Sequence, residues 1–83
     1  MISVEELAPN TYLVRHHPKG GWGDTYDGTC IVQMLSGICS VKGLSGQMGH
    51  NGVADIIRGM KEHFGVDKLH FERQRDLTKK KVI

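Results

Sequence analysis

The sequence predicts an α+β fold: one main helix packed on a small mixed β-sheet. Three observations point to this fold class. Two apolar runs flank a two-residue turn, a later segment carries apolar residues at helical spacing, and a last segment alternates apolar and polar residues. Such patterns are typical of a β-hairpin, an amphipathic helix and a further strand. We therefore expect a hairpin, then a helical crossover, then a parallel strand.

Length and composition predict a single small domain over residues 1–83. Apolar residues make up 39% of the chain and charged residues 24%, as in folded globular proteins. The net charge of +2 is too small to indicate nucleic-acid binding. No apolar run approaches the roughly 20 residues of a membrane helix, and the acidic start does not resemble a signal peptide. We expect a cytoplasmic protein with neither a nucleic-acid nor a membrane partner.

The first part of the chain is expected to form a lead-in and one strand. Residues 1–10 form the lead-in, with a short helix over Ser3–Leu7 that ends near Pro9. Thr11–His16 is rich in residues that favour strands. This segment is therefore predicted to be the first strand of the sheet.

A long loop is predicted over His17–Gly28, because proline and glycine recur in it. Trp22 and Tyr26 lie in this loop. Aromatic residues on loops often mark contact surfaces. The alternative is that both residues fold back and close one end of a thin core.

The hairpin pairs Thr29–Leu35 with Ile38–Leu44 across the turn Ser36-Gly37. Placing Leu35 opposite Ile38 makes one face apolar and the other mixed, as a half-buried hairpin requires. The apolar face then pairs Met34 with Cys39, Val32 with Val41 and Cys30 with Gly43. The two cysteines are four positions apart along this ladder, at about 3.4 Å per residue. We therefore expect two buried thiols that form no disulfide.

The helix is predicted from Asn51 or Gly52 to Phe64, with Asn51 as its N-cap and Gly65 ending it. Its apolar face carries Val53, Ile56, Ile57, Met60 and Phe64. The main helix should cross a sheet of three or four strands on the face that bears Val32, Met34, Val41, Leu69 and Phe71.

The segment after the helix, Val66–Arg73, alternates and predicts a strand parallel to the second hairpin strand. A right-handed crossover through the helix would connect the two. The basic tail, residues 74–83, is expected to be solvated and frayed.

Glycines at every third position, from Gly43 to Gly52, precede the helix. Small residues let the backbone approach a ligand, and free N–H groups at a helix start favour an anion such as a phosphate. The loop Gly46–Ala54 is therefore a candidate phosphate site. The alternative is a glycine-rich turn that only lets a strand enter a helix.

The segment Gly52–Ile57 resembles the acyl-CoA pyrophosphate loop of the GNAT acetyltransferase superfamily, with Gly52 and Ala54 at its two small positions. The order of elements over residues 31–73 is similar to the central segment of that fold, so the resemblance implies a truncated GNAT-like core. Gly49 stands where the family has Arg or Gln, and weak binding is expected. The implied cofactor is acetyl-CoA, held by Gln47, Gly49, His50, Asn51, Gly52, Val53 and Ala54.

The resemblance implies transfer of an acyl group to an amine, which needs a group that accepts the amine's proton. His50 in the loop and Glu72 on the last strand are the candidates. A role in capping the loop is favoured for His50, and a solvated strand face explains Glu72 equally well, so catalysis stays open. The alternative function is a non-enzymatic interaction protein, a small regulator or inhibitor, with a protein partner or self-association through a sheet edge.

The chain has five histidines, and none repeats at the spacing of metal ligands. His16 and His17 are adjacent on a predicted strand, so their side chains should point to opposite faces. We expect no metal site. Each histidine is predicted to take a surface or capping role.

Overall fold

The computed structural model describes residues 1–18, 25–72 and 80–82, without the side chains of residues 72, 80 and 81. In chain order the elements are β1 (Ile2–Ala8), β2 (Thr11–His16), β3 (Gly28–Leu35), β4 (Ile38–Gly46), α1 (Gly49–Phe64), β5 (His70–Glu72) and β6 (Lys80–Val82). The strands lie side by side in the same order. β4 and β5 are parallel and the other neighbours are antiparallel. The predicted α+β class is confirmed: among the described residues one helix packs on a mixed sheet, although that sheet has six strands rather than three or four.

The segment Ser3–Leu7, predicted as a helix, is part of strand β1 and pairs with β2. Its half-buried apolar residues, Ile2 and Val4, alternate with exposed Ser3 and Glu5. Pairing with β2 satisfies the backbone and lets the two apolar side chains pack against the core. Helix propensities differ by less than about 1 kcal/mol per residue, so this tertiary gain overrides them and the helix prediction was wrong.

The hairpin register is confirmed from Leu35 opposite Ile38 to Ile31 opposite Lys42. Beyond that point the register shifts, and Thr29 pairs with Ser45. The predicted pairing of Cys30 with Gly43 was therefore wrong, because a β-bulge adds a residue to β4. Gly43 has φ +62°, a conformation that glycine adopts without strain.

Helix α1 begins at Gly49, before the predicted start. Asn51 is not its N-cap, because Met48 occupies that position and its side chain makes no capping hydrogen bond. The predicted end is confirmed: Gly65 is left-handed, with φ 65° and ψ 36°, and the next amide, of Val66, donates to Lys61 O at 3.1 Å.

A single core fills the space between α1 and one face of the sheet. Its fully buried members are Val14, Cys30, Val32, Cys39, Val41, Ile56, Met60 and Leu69. Cys30 Sγ lies 3.7 Å from Met60 Sδ, and both cysteines are buried and free as predicted. We call this side of the sheet the covered face. On the opposite side, the open face, Leu35 and Ile38 are 59% and 46% exposed.

The end of the chain differs from its prediction. Lys80–Val82 pairs antiparallel with β5, so the expected frayed tail is wrong for these three residues. Residues 74–79, and Trp22 in the long loop, lie outside the described part of the chain. Tyr26 is exposed, and the Arg15 guanidinium lies 5.8 Å from the centre of its ring.

Candidate functional site

An open cleft of about 750 Å³ lies where the end of β2 meets the first half of α1. Its walls include His16, Asp27 and Asp55, with Asn51 and Gly52 of the predicted cofactor loop. The structure thus brings part of the predicted loop together with charged residues that the sequence analysis did not single out.

His16, the last residue of β2, is held between two carboxylates. Its side chain is buried, with 4% of the residue exposed. Nδ1 lies 2.6 Å from Asp27 Oδ1 and Nε2 lies 2.9 Å from Asp55 Oδ2. Imidazole donates to two ionised carboxylates at once only when both nitrogens carry a hydrogen, that is, as imidazolium. The predicted surface or capping role for His16 was therefore wrong: it joins β2 to α1 and to the residue before β3.

Asp55 is the charged centre of the cleft. Its carboxylate accepts from the Met1 ammonium, from His16, and from Arg58 Nη2 at 2.8 Å. The ammonium, His16 and Arg58 together hold the pKa of Asp55 well below its ordinary value of 3.8. Asp55 is thus an ionised acceptor matched by several donors.

His17 forms a second network that contains no carboxylate. It is buried, with 5% exposed. Nδ1 lies 2.7 Å from Thr25 O, and Nε2 lies 2.8 Å from Ser3 Oγ. A carbonyl oxygen only accepts, so Nδ1 carries a hydrogen, and in the neutral imidazole Nε2 then accepts from the Ser3 hydroxyl. The predicted surface or capping role for His17 was also wrong.

The two histidines point to opposite sides of the sheet, as predicted. His16 reaches Asp55 on α1, whereas His17 reaches Ser3, which is exposed on β1 between the half-buried Ile2 and Val4. Alternation along the strand places Ser3 on the open face.

The amino end of α1 is open to solvent. Gln47, Gly49, His50 and Asn51 are exposed, the first turn contains no acidic residue, and no side chain caps it. The first amides of a helix have no intrahelical acceptor, so this turn presents free donors. Ala54 is exposed as well, one turn further on.

Gly52 and Val53 face inward rather than outward. A Cβ at Gly52 would lie 2.6 Å from Met48 Cβ and 3.4 Å from His16 Cε1. Gly52 is buried and Val53 is half-buried. The absence of a side chain at Gly52 therefore lets Met48 and His16 pack closely against α1.

The two catalytic candidates lie apart in the fold. His50 is exposed in the first turn of α1. Glu72 pairs with Lys42 through the β4–β5 ladder, and its side chain lies outside what the structure describes. The geometry therefore places only His50 beside the helix start.

Sequence reasoning missed the cluster around His16 because its members are distant in the chain. Asp27 is 11 positions from His16, and Asp55 is 39. The one local signal is the spacing of Asp55 and Arg58, three residues apart on one helix face. This spacing alone indicates only a solvent-exposed ion pair on the helix surface.

Within the described residues, no group of three or more His, Cys, Asp or Glu side chains is placed to hold a metal ion. No helix in the same part of the chain is long and apolar enough to cross a bilayer. Comparison with protein-family models, with curated proteins and with solved structures found no match.

Proposed function

We propose that this chain is a small ligand-binding domain that takes a phosphate-bearing ligand of the acyl-CoA class at the amino end of α1. The observation that carries the proposal is the uncapped first turn, which opens beside the cleft and holds no acidic side chain. Free amides and the positive end of the helix dipole together favour an anion.

The charges of the cleft support an anionic ligand. Its two carboxylates, Asp27 and Asp55, are both engaged by His16. Asp55 is further matched by Arg58 and by the Met1 ammonium. Because each carboxylate has a hydrogen-bond or ion-pair partner, neither dominates the field at the helix start.

Acyl transfer would extend this binding to catalysis. An amine must lose a proton as it attacks the acyl carbon, and an imidazole can accept that proton. His50 is the exposed imidazole in the turn proposed to hold the phosphates. We assign it this role within the proposal. The cytoplasm, where thiols stay reduced, suits the two free cysteines.

Calorimetric titration with acetyl-CoA tests the binding. Acetyl-pantetheine, which has the acyl arm but lacks the nucleotide phosphates, is the matched ligand control. We expect acetyl-CoA to bind and to raise the melting temperature by mass action, and acetyl-pantetheine to do neither. Equal binding of both ligands, or binding of neither, would refute the phosphate site.

Asn51→Asp is the variant that tests the helix start, and Asn10→Asp is its control. Both change one exposed asparagine to aspartate, but Asn10 lies in the β1–β2 turn, at the other end of these strands from His16. A negative charge in the first turn stabilises a helix by about 0.3–1 kcal/mol and repels a bound anion. Asn51→Asp should therefore melt higher yet bind acetyl-CoA about 5-fold more weakly. Asn10→Asp should bind like the parent.

We keep a non-enzymatic interaction protein as the second candidate, because the open face bears exposed Leu35 and Ile38. The edge strand β1 carries exposed Glu5 and Glu6, and like charges oppose pairing of two such edges. This candidate predicts no response to acetyl-CoA and a complex with a protein partner through the open face. Leu35→Asp would then abolish the complex without lowering the melting temperature.

A further inference from the structure

Ser3, His17 and the Thr25 carbonyl form a hydrogen-bonded chain, of which only His17 also lines the cleft. Ser3 Oγ lies 2.8 Å from His17 Nε2, and His17 Nδ1 donates to Thr25 O at 2.7 Å. A hydroxyl bonded to an imidazole, which is itself oriented by an acceptor, is the arrangement that activates a serine nucleophile. Both distances fall within the range for a nucleophile and its base.

The solvent exposure of Ser3 and the burial of His17 match the roles of nucleophile and base. Ser3 is exposed, so a substrate can reach its Oγ. His17 is buried, and the Thr25 carbonyl fixes which nitrogen carries the hydrogen. The nitrogen left free to accept, Nε2, is the one that faces the hydroxyl. The nucleophile is thus open to solvent while its base is held in one tautomer.

Arg15 supplies a positive charge on the same face of the sheet as the hydroxyl. It is the register partner of Ser3 across β1 and β2, so the two side chains share the open face. Its guanidinium lies 3.7 Å from Glu5 Oε2, beyond hydrogen-bond distance, and extends over the Tyr26 ring. A guanidinium has five N–H donors, which can meet an oxyanion that forms at Ser3.

We propose that Ser3, His17 and Arg15 form a hydrolytic site on the open face, whose substrates are carboxylic esters. Ser3 Oγ bonds to the ester carbonyl carbon while its proton moves to His17 Nε2, and Arg15 stabilises the oxyanion. The bond from carbon to the alcohol oxygen breaks, and the leaving alkoxide takes the proton from His17. Water then repeats the sequence on the acyl-serine and releases the acid.

The test uses the full chain with p-nitrophenyl acetate as substrate and a fluorophosphonate as covalent probe. We expect the probe to label Ser3, located by peptide mass spectrometry, and the chain to release p-nitrophenol above the background rate. Labelling elsewhere, or no labelling, would overturn the proposal. So would turnover that does not depend on Ser3.

Two serine variants separate the nucleophile from general surface effects. Ser3→Ala and Ser45→Ala each remove an exposed strand hydroxyl. Ser3→Ala should lose the label and reduce hydrolysis by about 10²-fold or more. Ser45→Ala should keep both. Equal loss in the two variants, or none in Ser3→Ala, contradicts the proposal.

Arg15→Gln tests the oxyanion role. It should lower kcat for p-nitrophenyl acetate by about 10²-fold while probe labelling still maps to Ser3. An unchanged kcat would remove Arg15 from the site. Acetyl-CoA binding to Ser3→Ala should equal that of the parent, so this proposal and the phosphate site can fail independently.

Discussion

The covered and open faces of the sheet are built from the same strands but have different chemistry. The covered face is apolar and closed by α1, with side chains such as Val14 and Val41 fully buried. The open face mixes half-buried and exposed residues and carries Ser3, Arg15 and Ile38. Strand alternation sends neighbouring residues to opposite sides, so residues adjacent in sequence can take unrelated roles.

His16 and His17 show how two neighbours in the sequence take unrelated roles. Both are buried, but His16 is an ionic junction between two aspartates, whereas His17 lies between a hydroxyl and a carbonyl. An imidazole held between two carboxylates, with neither nitrogen free, serves to join elements. A neutral imidazole with one free lone pair can accept a proton. Burial alone therefore does not tell the function of a histidine.

The largest effect should come from placing a charge on each face in turn. Ile56→Asp buries an unpaired carboxylate at a site with 0% exposure and should lower the free energy of unfolding by about 4 kcal/mol or more. Ile38→Asp, on the open face, should cost about 1 kcal/mol or less. Urea denaturation measures both values. Equal losses would show that the open face is covered in solution.

Acid should lower the stability of the fold by protonating Asp55, one of the two carboxylates that contact His16. The folded pKa of Asp55 is lowered, so its ionised form stabilises the fold above its ordinary value of 3.8, and this stabilisation is lost as pH falls below that value. Asp55→Asn should cost about 1–3 kcal/mol at neutral pH. It should also lose less stability than the parent between about pH 4 and pH 2. Melting curves across this range give the slope, and parallel slopes would contradict the assignment.

Glu5, on the open face, is the matched control for Asp55. Glu5 lies 3.7 Å from Arg15 at an exposed site. Glu5→Gln should change the free energy of unfolding by at most about 0.5 kcal/mol, because exposed ion pairs are weak. A loss as large as that of Asp55→Asn would show that the Arg15 cluster also holds the fold together.

The smallest expected effect concerns thiol reactivity. Thiols on the covered face should react far more slowly than a thiol on the open face. Burial, and then the neighbouring Cys39, raises the pKa of Cys30 to about 12, and burial raises the pKa of Cys39. Neither thiol ionises near neutral pH, so iodoacetamide should modify both only after denaturation.

Ser45→Cys provides the reactive reference, because Ser45 is exposed on β4. The introduced thiol should react in the native protein while Cys30 and Cys39 stay unmodified. Mass spectrometry counts the alkyl groups. Native modification of Cys30 would show that the covered face opens readily.

The sequence predicted best where the signal is local. The hairpin register follows from a two-residue turn and from alternation, so Met34 opposite Cys39 could be derived on paper and is confirmed. Gly65 was predicted for a similar reason, since a left-handed residue ends a helix and glycine adopts that conformation freely.

The predictions from sequence failed where contacts between segments distant in the chain determine the structure. β1 forms because β2 is available to pair with it, although Glu5, Glu6 and Leu7 favour a helix when taken alone. The start of α1 was misplaced because Met48, which has no capping side chain, holds the N-cap position. The bulge opposite Cys30 was likewise not predicted, because the alternation of apolar and polar residues in the hairpin carries no sign of an extra residue in β4.

The sequence by itself determined the class of the fold, because periodicity, turn residues and helix ends act within a few neighbouring positions. The glycine-rich loop before the helix is likewise a local feature, although the capping residue that the sequence predicted, Asn51, lies inside the helix. Only the tertiary structure decided the chemistry of His16 and His17. Their partners come from β1, from the residues before β3, and from α1, and hydrogen-bond geometry between such distant segments exists only once the sheet has formed.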